Sequence, residues 1–155
     1  MTKGFYAGSF DPFTIGHLSV VQRSAKMFDE LVVGIGVNPD KKRRFDVEKM
    51  KEAMLQIMNR YNLTNVSIIS YDEMTTDAAK KVGATFLIRG LRNGMDYEQE
   101  ENLALINEEV SEFDTLYVRA GKLGYVSSSM VMELLKYRKN VSKYLPEEVY
   151  QLVTK

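Results

Sequence analysis

The stretch that decides the fold is KGFYAGSFDPFTIGHL, Lys3 to Leu18. Lys3–Ala7 is a short β-rich run, and Gly8–Gly16 contains two glycines and a proline, which is typical of a loop. Apolar residues at helical spacing follow over His17–Phe28. A strand, a loop and a helix in this order predict the first βα unit of a parallel sheet.

The same alternation of short β-rich runs and helical segments continues along the chain. Further strands are predicted over Leu31–Val37, Val66–Ser70, Thr85–Ile88 and Thr115–Arg119, and further helices over Val47–Tyr61, Thr75–Val82, Met95–Val110, Ser128–Tyr137 and Pro146–Val153. A length of 155 residues suits one domain. The sequence therefore predicts an α/β fold: a single Rossmann-like domain over residues 1–155, with a five-stranded parallel sheet, helices on both faces and a C-terminal helix.

The composition excludes several classes of protein and site. Lys and Arg together number 21, as do Asp and Glu, so there is no overall positive charge to attract nucleic acid or an anionic membrane. The absence of cysteine excludes disulfide frameworks, thiolate zinc sites and a cysteine nucleophile, and the lone His17 excludes metal sites that need two imidazoles. The first residues lack the apolar core of a signal peptide, and Leu31–Val37 is too short to span a bilayer, so we expect a cytoplasmic protein.

Residues that directly follow the strands are the functional candidates, because ligands of open parallel sheets bind outside the carboxyl ends of the strands. Arg89 is predicted just past the end of the fourth strand. The loops after the predicted strands carry seven basic side chains: Lys41, Lys42, Arg43, Arg44, Arg89, Arg92 and Lys122. This local surplus of cations in a neutral protein predicts a polyphosphate ligand.

His17 is predicted at a helix start, where Gly16 would let a ligand come close to the backbone. The positive end of the helix disfavours an imidazolium, so His17 is expected to act as a neutral hydrogen-bond donor. The alternative is a capping or half-buried polar residue. The chain has no P-loop motif and no GxGxxG motif after the first strand, which excludes P-loop kinases and ordinary dinucleotide dehydrogenases.

Other patterns leave alternatives open. The guanidiniums of Arg89 and Arg92 could serve two phosphate groups of one ligand, or form a solvated turn paired with acidic residues 96–101. The basic run 40–45 offers poor support for nucleic-acid binding and is usually solvated in proteins. Ser127–Ser129 could bind an anion, provide a helix N-cap, or do both. Apolar positions on the predicted acidic helix fit core or interface packing, or a narrow apolar substrate slot: Leu103, Leu105 and Ile106.

Four segments together resemble the bacterial phosphopantetheine adenylyltransferases, which belong to the nucleotidyltransferase superfamily with a TxGH motif. They are GSFDPFTIGH at 8–17, NPDKK at 38–42, IRGLRNGMDYEQE at 88–100 and SSS at 127–129. The resemblance implies transfer of the adenylyl group of ATP to 4'-phosphopantetheine, giving dephospho-coenzyme A and pyrophosphate. It also implies Mg²⁺ bound with ATP and a homohexamer. The sequence offers no dedicated set of protein ligands for that metal, so no metal site is expected on the protein itself.

The resemblance also implies a role for each matching residue. His17, Ser9 and Lys41 would be catalytic, and Ser9, Lys41, Met74 and Arg89 would bind the acceptor substrate. The positions that would bind ATP are Ser9, Phe10, His17, Gly90, Leu91, Arg92, Glu100, Leu123, Gly124, Tyr125, Val126, Ser127, Ser128 and Ser129. The chain departs from the family pattern at KKRRF (41–45), at Gln99, at Leu123–Tyr125 and at Lys139–Asn140.

Adenylyl transfer to a phosphate needs few catalytic groups, which fits the residues that this sequence offers. A phosphate acceptor is already an oxyanion, so positioning and electrostatic stabilisation can accelerate the reaction without a general base. Two alternatives remain: a nucleotidyltransferase for another phosphorylated acceptor, such as nicotinamide mononucleotide or, with CTP, glycerol 3-phosphate, and a non-catalytic regulator that binds ATP.

Overall fold

The computed structural model describes residues 1–91 and 94–155, and for residues 94–99 it describes the course of the helix alone. Five strands lie in the described parts: β1 Lys3–Gly8, β2 Glu30–Gly36, β3 Val66–Tyr71, β4 Phe86–Leu91 and β5 Asp114–Arg119. Six α-helices lie there as well: α1 Ile15–Ala25, α2 Val47–Arg60, α3 Thr75–Lys81, α4 Gly94–Ser111, α5 Ser128–Lys136 and α6 Glu147–Val153. Two short 3₁₀ turns, Gly121–Leu123 and Ser142–Tyr144, complete the described elements.

The five strands form one parallel sheet in the order β3-β2-β1-β4-β5. β2 and β3 are added on one side of β1. The chain then crosses over, and β4 and β5 are added on the other side. β1 pairs with β2 from Lys3 opposite Glu30 as far as Gly8, whereas its pairing with β4 ends at Tyr6 opposite Ile88. Because β1 and β4 separate beyond that pair, a crevice opens at the switch point of the sheet, where ligands of this architecture bind.

Alternate residues of each strand pack against helices on opposite faces of the sheet. On one face, Tyr6 belongs to a large core that includes apolar side chains of α1, α2, α5 and α6. On the other face, Phe5 and Ala7 pack against Ala78 and Ala79 of α3. The predicted α/β fold, with a five-stranded parallel sheet, helices on both faces and a C-terminal helix, is therefore confirmed.

The first helix begins two residues earlier than predicted and ends three residues earlier, at Ala25 instead of Phe28. Its N-cap is Thr14, whose hydroxyl accepts a hydrogen bond from the His17 backbone N–H. A threonine cap satisfies one of the free N–H groups of the first turn, so helical geometry starts at Ile15. His17 is thus the third residue of α1.

The fourth strand is longer than predicted, and this corrects the position of Arg89. We predicted a strand that ends at Ile88 and a loop that contains Arg89, but β4 continues to Leu91. The extension is held by β5, because Arg89 pairs with Tyr117, Gly90 with Val118 and Leu91 with Arg119. Arg89 therefore projects from a strand, which limits its orientations more than a loop would.

The acidic helix α4 leaves several apolar side chains uncovered. Leu105, Ile106 and Val110 expose 56%, 52% and 60% of their surface, and Leu103 exposes 47%. This exposure decides against core packing for the apolar positions of α4. Within residues 1–91 and 94–155, no helix is both long and apolar enough to cross a membrane.

The C-terminal helix is attached by an ion pair, and we expect its contribution to depend on pH. Arg60 Nε and Nη2 donate to Glu148 Oε2 and Oε1 at 2.7 and 2.8 Å, and these bonds lower the pKa of Glu148 below its ordinary 4.5. A lowered carboxyl pKa stabilises the fold above the unfolded value, and the contribution disappears as the pH falls through the folded value. Glu148→Gln should lower the free energy of unfolding by about 1 kcal/mol at pH 7, and by progressively less as the pH falls below the ordinary carboxyl pKa of 4.5 toward the lowered value of the folded state.

Urea denaturation across this pH range measures the effect. Glu147→Gln is the matched control, because Glu147 is an exposed carboxylate in the same first turn of α6. An equal loss for both variants at pH 7 would show that the helix dipole, and not the ion pair with Arg60, is responsible.

Candidate active site

The crevice between β1 and β4 contains a cavity of about 290 Å³. Its walls come from the carboxyl end of β1, the first turn of α1, the middle of β4, one residue of α4 and the start of α5. The lining residues are Tyr6, Ala7, Gly8, Ser9, Phe10, Gly16, His17, Val20, Arg89, Gly90, Glu100, Ala120, Val126, Ser127, Ser128 and Ser129. Ten of the predicted site residues therefore meet in one cavity: Ser9, Phe10, His17, Arg89, Gly90, Glu100, Val126, Ser127, Ser128 and Ser129.

The loop from β1 to α1 folds back over its own aromatic side chain. Phe10 has a φ of +46°, in the left-handed region, and its ring is 1% exposed. A side chain at Gly8 would place its Cβ 2.9 Å from the Phe10 ring, so glycine is required there. The Phe10 ring lies edge-on to the rings of Tyr6 and His17, with centroids 5.2 and 5.0 Å away. The imidazole is thus held in place by aromatic packing.

A capping box determines which nitrogen of His17 carries the proton. The backbone N–H of Thr14 donates to His17 Nδ1 at 3.0 Å. A backbone amide can only donate, so Nδ1 must be an acceptor, and a neutral imidazole then carries its proton on Nε2. His17 is accordingly the capping residue that the sequence offered as one alternative, and its Nε2 carries the proton that the other, the donor role, requires.

Gly16 is required by the packing of the protein itself. A Cβ at this position would lie 2.9 Å from the carbonyl oxygen of Val126 and 3.3 Å from that of Leu123. The start of α1 therefore contacts the backbone just before α5. The first turns of both helices line the cavity, and their unsatisfied N–H groups favour an anion there.

The three serines have separate roles. Ser127 is the N-cap of α5, and its hydroxyl accepts a hydrogen bond from the Met130 N–H at 3.1 Å. Ser128 donates to the carbonyl oxygen of Pro12 at 2.7 Å, which attaches α5 to the loop before α1. Ser129 is exposed at the cavity.

Arg89 forms a bidentate ion pair with Glu100 at the centre of the crevice. Its Nε and Nη2 donate to Glu100 Oε2 and Oε1 at 2.6 and 2.9 Å, and its Nη1 donates to the Ala7 carbonyl oxygen at 2.9 Å. Burial alone would lower the pKa of Arg89, but the hydrogen bonds and charge of Glu100 raise it above its ordinary value. The guanidinium therefore stays charged, and three of its five N–H groups have partners among the described residues.

A second cavity of about 140 Å³ adjoins the first and shares Ala7, Arg89 and Glu100 with it. It contains the predicted residue Met74 and also Leu103, one of the α4 positions for which the sequence left an apolar substrate slot open. The other lining residues were not singled out from the sequence: Thr75, Leu87, Ala104, Asn107 and Thr115. Glu100, Ala104 and Asn107 follow one another at helical spacing, which places them on one face of α4. The spacing from Glu100 is the feature of the sequence that could have identified Ala104 and Asn107 as site residues.

Several predicted residues lie away from the lining of these two cavities. Lys41 is exposed on the loop after β2. The remaining ATP-side predictions within the described residues are Leu91, Leu123, Gly124 and Tyr125; none of them lines either cavity. Tyr125 is 61% exposed, and its ring lies 6.2 Å from that of Tyr144. Arg92 and the side chain of Gln99 lie outside the described residues.

Comparisons with known proteins agree on one family. The profile of the cytidylyltransferase-like family matches residues 5–134. A phosphopantetheine adenylyltransferase of Bacteroides thetaiotaomicron is 41% identical over 95% of this chain and 97% of its own length. One from Lachnoclostridium phytofermentans is also 41% identical, over 99% of this chain and 94% of its own.

The fold has a relative among solved structures. A crystal structure from Vibrio parahaemolyticus, provisionally assigned as a nicotinate-nucleotide adenylyltransferase, superposes with a TM-score of 0.72 over the full length of both chains. The two chains are 14% identical, so this likeness concerns the fold alone.

The protonation of His17 can be tested directly, because it is the only histidine of the chain. We expect long-range ¹H–¹⁵N spectra at pH 7.5 to show a proton on Nε2 and a bare Nδ1, since Nδ1 accepts from Thr14. Thr14→Ser is the matched control, because serine retains both halves of the capping box. A predominant Nδ1–H form in the unaltered protein would contradict the assignment.

Proposed function

The chain belongs to the phosphopantetheine adenylyltransferases, within the cytidylyltransferase-like family, and we infer from this membership that it transfers the adenylyl group of ATP to 4'-phosphopantetheine. The products are dephospho-coenzyme A and pyrophosphate, and the reaction belongs to coenzyme A biosynthesis. The observation that best supports this chemistry is the cavity between β1 and β4, where a neutral imidazole, a guanidinium and two helix starts converge.

The reaction requires alignment more than acid–base chemistry. A phosphate oxygen of the acceptor attacks the α-phosphorus of ATP, and the new P–O bond forms as the bond to the bridging oxygen of pyrophosphate breaks. Pyrophosphate leaves with the bonding electron pair, so no proton transfer to a base is needed at the attacking oxygen. His17 Nε2–H donates to the α-phosphate as negative charge develops there, and the start of α5 adds N–H groups at the same cavity.

Arg89 binds the phosphate of the acceptor in this proposal. Its guanidinium borders both cavities. The acceptor phosphate bound beside it therefore lies at the boundary between the two cavities, next to ATP. ATP occupies the larger cavity, and the pantetheine arm extends past Met74 into the smaller one. Ser9 contacts both substrates, and Lys41 approaches the acceptor phosphate from the loop after β2.

The remaining ATP contacts are assigned by the family resemblance. The positions are Phe10, Gly90, Leu91, Arg92, Glu100 and Leu123 to Ser129. Among the described residues, no group of three or more His, Asp or Glu side chains is placed to hold a metal ion. We therefore propose that Mg²⁺ enters as part of the Mg²⁺·ATP substrate, held mainly by phosphate oxygens.

The assembly is also proposed by resemblance to the family. Leu103, Ile106 and Val110 follow one another at helical spacing, and this exposed apolar face of α4 supports contact between copies of the chain in a homohexamer. From the length and composition, we propose that residues 1–155 form one adenylyltransferase domain that acts in the cytoplasm, without nucleic acid or membrane as partners.

The function is tested by incubating the purified chain with ATP, Mg²⁺ and 4'-phosphopantetheine and identifying the products by mass spectrometry. We expect dephospho-coenzyme A and an equal amount of pyrophosphate. Parallel reactions contain nicotinamide mononucleotide with ATP, or glycerol 3-phosphate with CTP. Preference for one of those acceptors would overturn the substrate assignment, and ATP binding without turnover under every condition would favour a regulator.

His17→Ala should reduce kcat at least about a hundredfold, because it removes a donor at the developing charge. Steady-state pyrophosphate release measures the rate. The variant also loses one half of the α1 capping box, at a cost of about 1 kcal/mol, so its thermal unfolding must be recorded beside the wild type. Near-normal turnover by a folded variant would refute the role of His17.

Arg89→Met should raise KM for the acceptor about tenfold or more, and KM for ATP less than about threefold, because a charge-assisted contact to one phosphate is lost. The substitution alone leaves the half-buried Glu100 carboxylate without its partner. The double variant Arg89→Met/Glu100→Gln removes that charge, and Glu100→Gln alone is the matched control. If both arginine variants bind the acceptor normally and ATP weakly, the two pockets are assigned the wrong way round.

A further inference from the structure

Arg43 connects the loop after β2 to the loop after β1. It lies in the basic run 40–45, which composition alone would assign to solvent or to an anionic ligand. In the structure its side chain is 13% exposed and contacts protein atoms instead. Two of these contacts are made to the loop that carries Ser9 and leads to His17.

All three nitrogen positions of the Arg43 guanidinium donate to backbone carbonyls. Nη1 donates to the Ser9 oxygen at 2.6 Å and Nη2 to the Phe10 oxygen at 3.3 Å, both across the gap between the loops. Nε donates to the Phe45 oxygen at 3.0 Å, within its own loop. A planar guanidinium with donors in a fixed geometry can hold three such acceptors at once, whereas an ammonium on a flexible stem cannot reproduce the arrangement.

Asp11 makes the reciprocal connection. Its carboxylate accepts hydrogen bonds from the backbone N–H groups of Arg44 and Phe45 at 2.8 and 3.0 Å. Arg43 Nη2 lies 3.6 Å from the same carboxylate, whose side chain is also 13% exposed. Each loop thus supplies a charged side chain that binds the backbone of the other.

The two carbonyls that Arg43 binds flank the strained residue of the β1–α1 loop. Phe10, with its φ of +46°, occupies the left-handed region, which is unfavourable for a residue with a side chain. Contacts elsewhere must compensate for that cost if the conformation is to persist. Arg43 supplies them from the β2 side, and the Phe10 ring in turn contacts the imidazole of His17.

We propose that Arg43 is a positioning residue for adenylyl transfer: it holds Ser9, and through Phe10 also His17, in fixed relation to the loop that carries Lys41. This inference rests on the proposed function. Within the described part of the chain, the linings of the two cavities do not include Arg43, so it acts through other residues. A loss of alignment lowers the rate of the chemical step, while the loss of a direct phosphate contact weakens binding.

The test compares Arg43→Met with Arg43→Lys and with a control, Arg60→Met. Arg60 is suitable because it also donates a bidentate set of hydrogen bonds, but to Glu148 on α6, away from both cavities. For Arg43→Met we expect kcat to fall about ten- to a hundredfold, with KM for each substrate within about threefold of the wild type. Arg43→Lys should recover part of kcat, and Arg60→Met should retain wild-type kcat and KM.

Hydrogen exchange supplies a readout that does not depend on activity. In Arg43→Met, the amides of segments 8–17 and 40–46 should exchange at least about tenfold faster, because the loops lose the Arg43 hydrogen bonds to the Ser9 and Phe10 carbonyls and are then connected by the Asp11 and Arg44 contacts alone. Arg60→Met should leave exchange in these segments unchanged.

The results of these experiments distinguish the positioning role of Arg43 from the proposed function. Unchanged kcat and unchanged exchange in Arg43→Met would overturn the proposal, as would a large rise in KM with kcat intact, which would make Arg43 a direct ligand. If the wild-type chain transfers no adenylyl group to any acceptor, the proposed function fails. In that case faster exchange of both segments would still establish the connection between the loops, and its absence would overturn that connection too.

Discussion

The separation of β1 from β4 beyond Tyr6 and Ile88 is the constraint on which the site depends. Two parallel strands that stop pairing leave backbone groups that need other partners. Just past the last pair, the Ala7 carbonyl accepts a hydrogen bond from the Arg89 side chain. The guanidinium that faces the crevice thus also satisfies a backbone carbonyl of β1 at the point where the two strands stop pairing. The cavity is a consequence of the topology, and its central cation is part of how the sheet ends.

The polar groups at this crevice have structural and chemical roles together. The Thr14 N–H that caps α1 also fixes the imidazole tautomer of His17. Glu100 binds Arg89 and keeps it charged and oriented. Such sharing suits a reaction whose nucleophile is already an anion, because the protein has to place a few charges accurately and move no protons.

Prediction from the sequence succeeded where the signal was local and failed where a contact was long-range. Alternating β-rich and helical segments predicted the sheet and both helical layers, and the N-cap that the sequence offered as one role for SSS is found at Ser127. The end of β4 was misplaced because its last three residues are held by β5, more than twenty residues later in the chain. The basic run 40–45 was expected to be solvated, but Arg43 is engaged by backbone carbonyls while Lys41 is exposed.

By itself the sequence determined the fold class, the family and the chemical types available: one imidazole, no thiol, and cations clustered in a neutral chain. Periodicity and composition are properties of neighbouring residues, so they can be read without coordinates. Only the tertiary structure decided that Glu100 pairs with Arg89, that carbonyls of a distant segment require Gly16, and that Arg43 holds the strained loop at Phe10. These contacts join residues far apart in the chain, and hydrogen bonds depend on distances and angles that exist only after the sheet has brought the loops together.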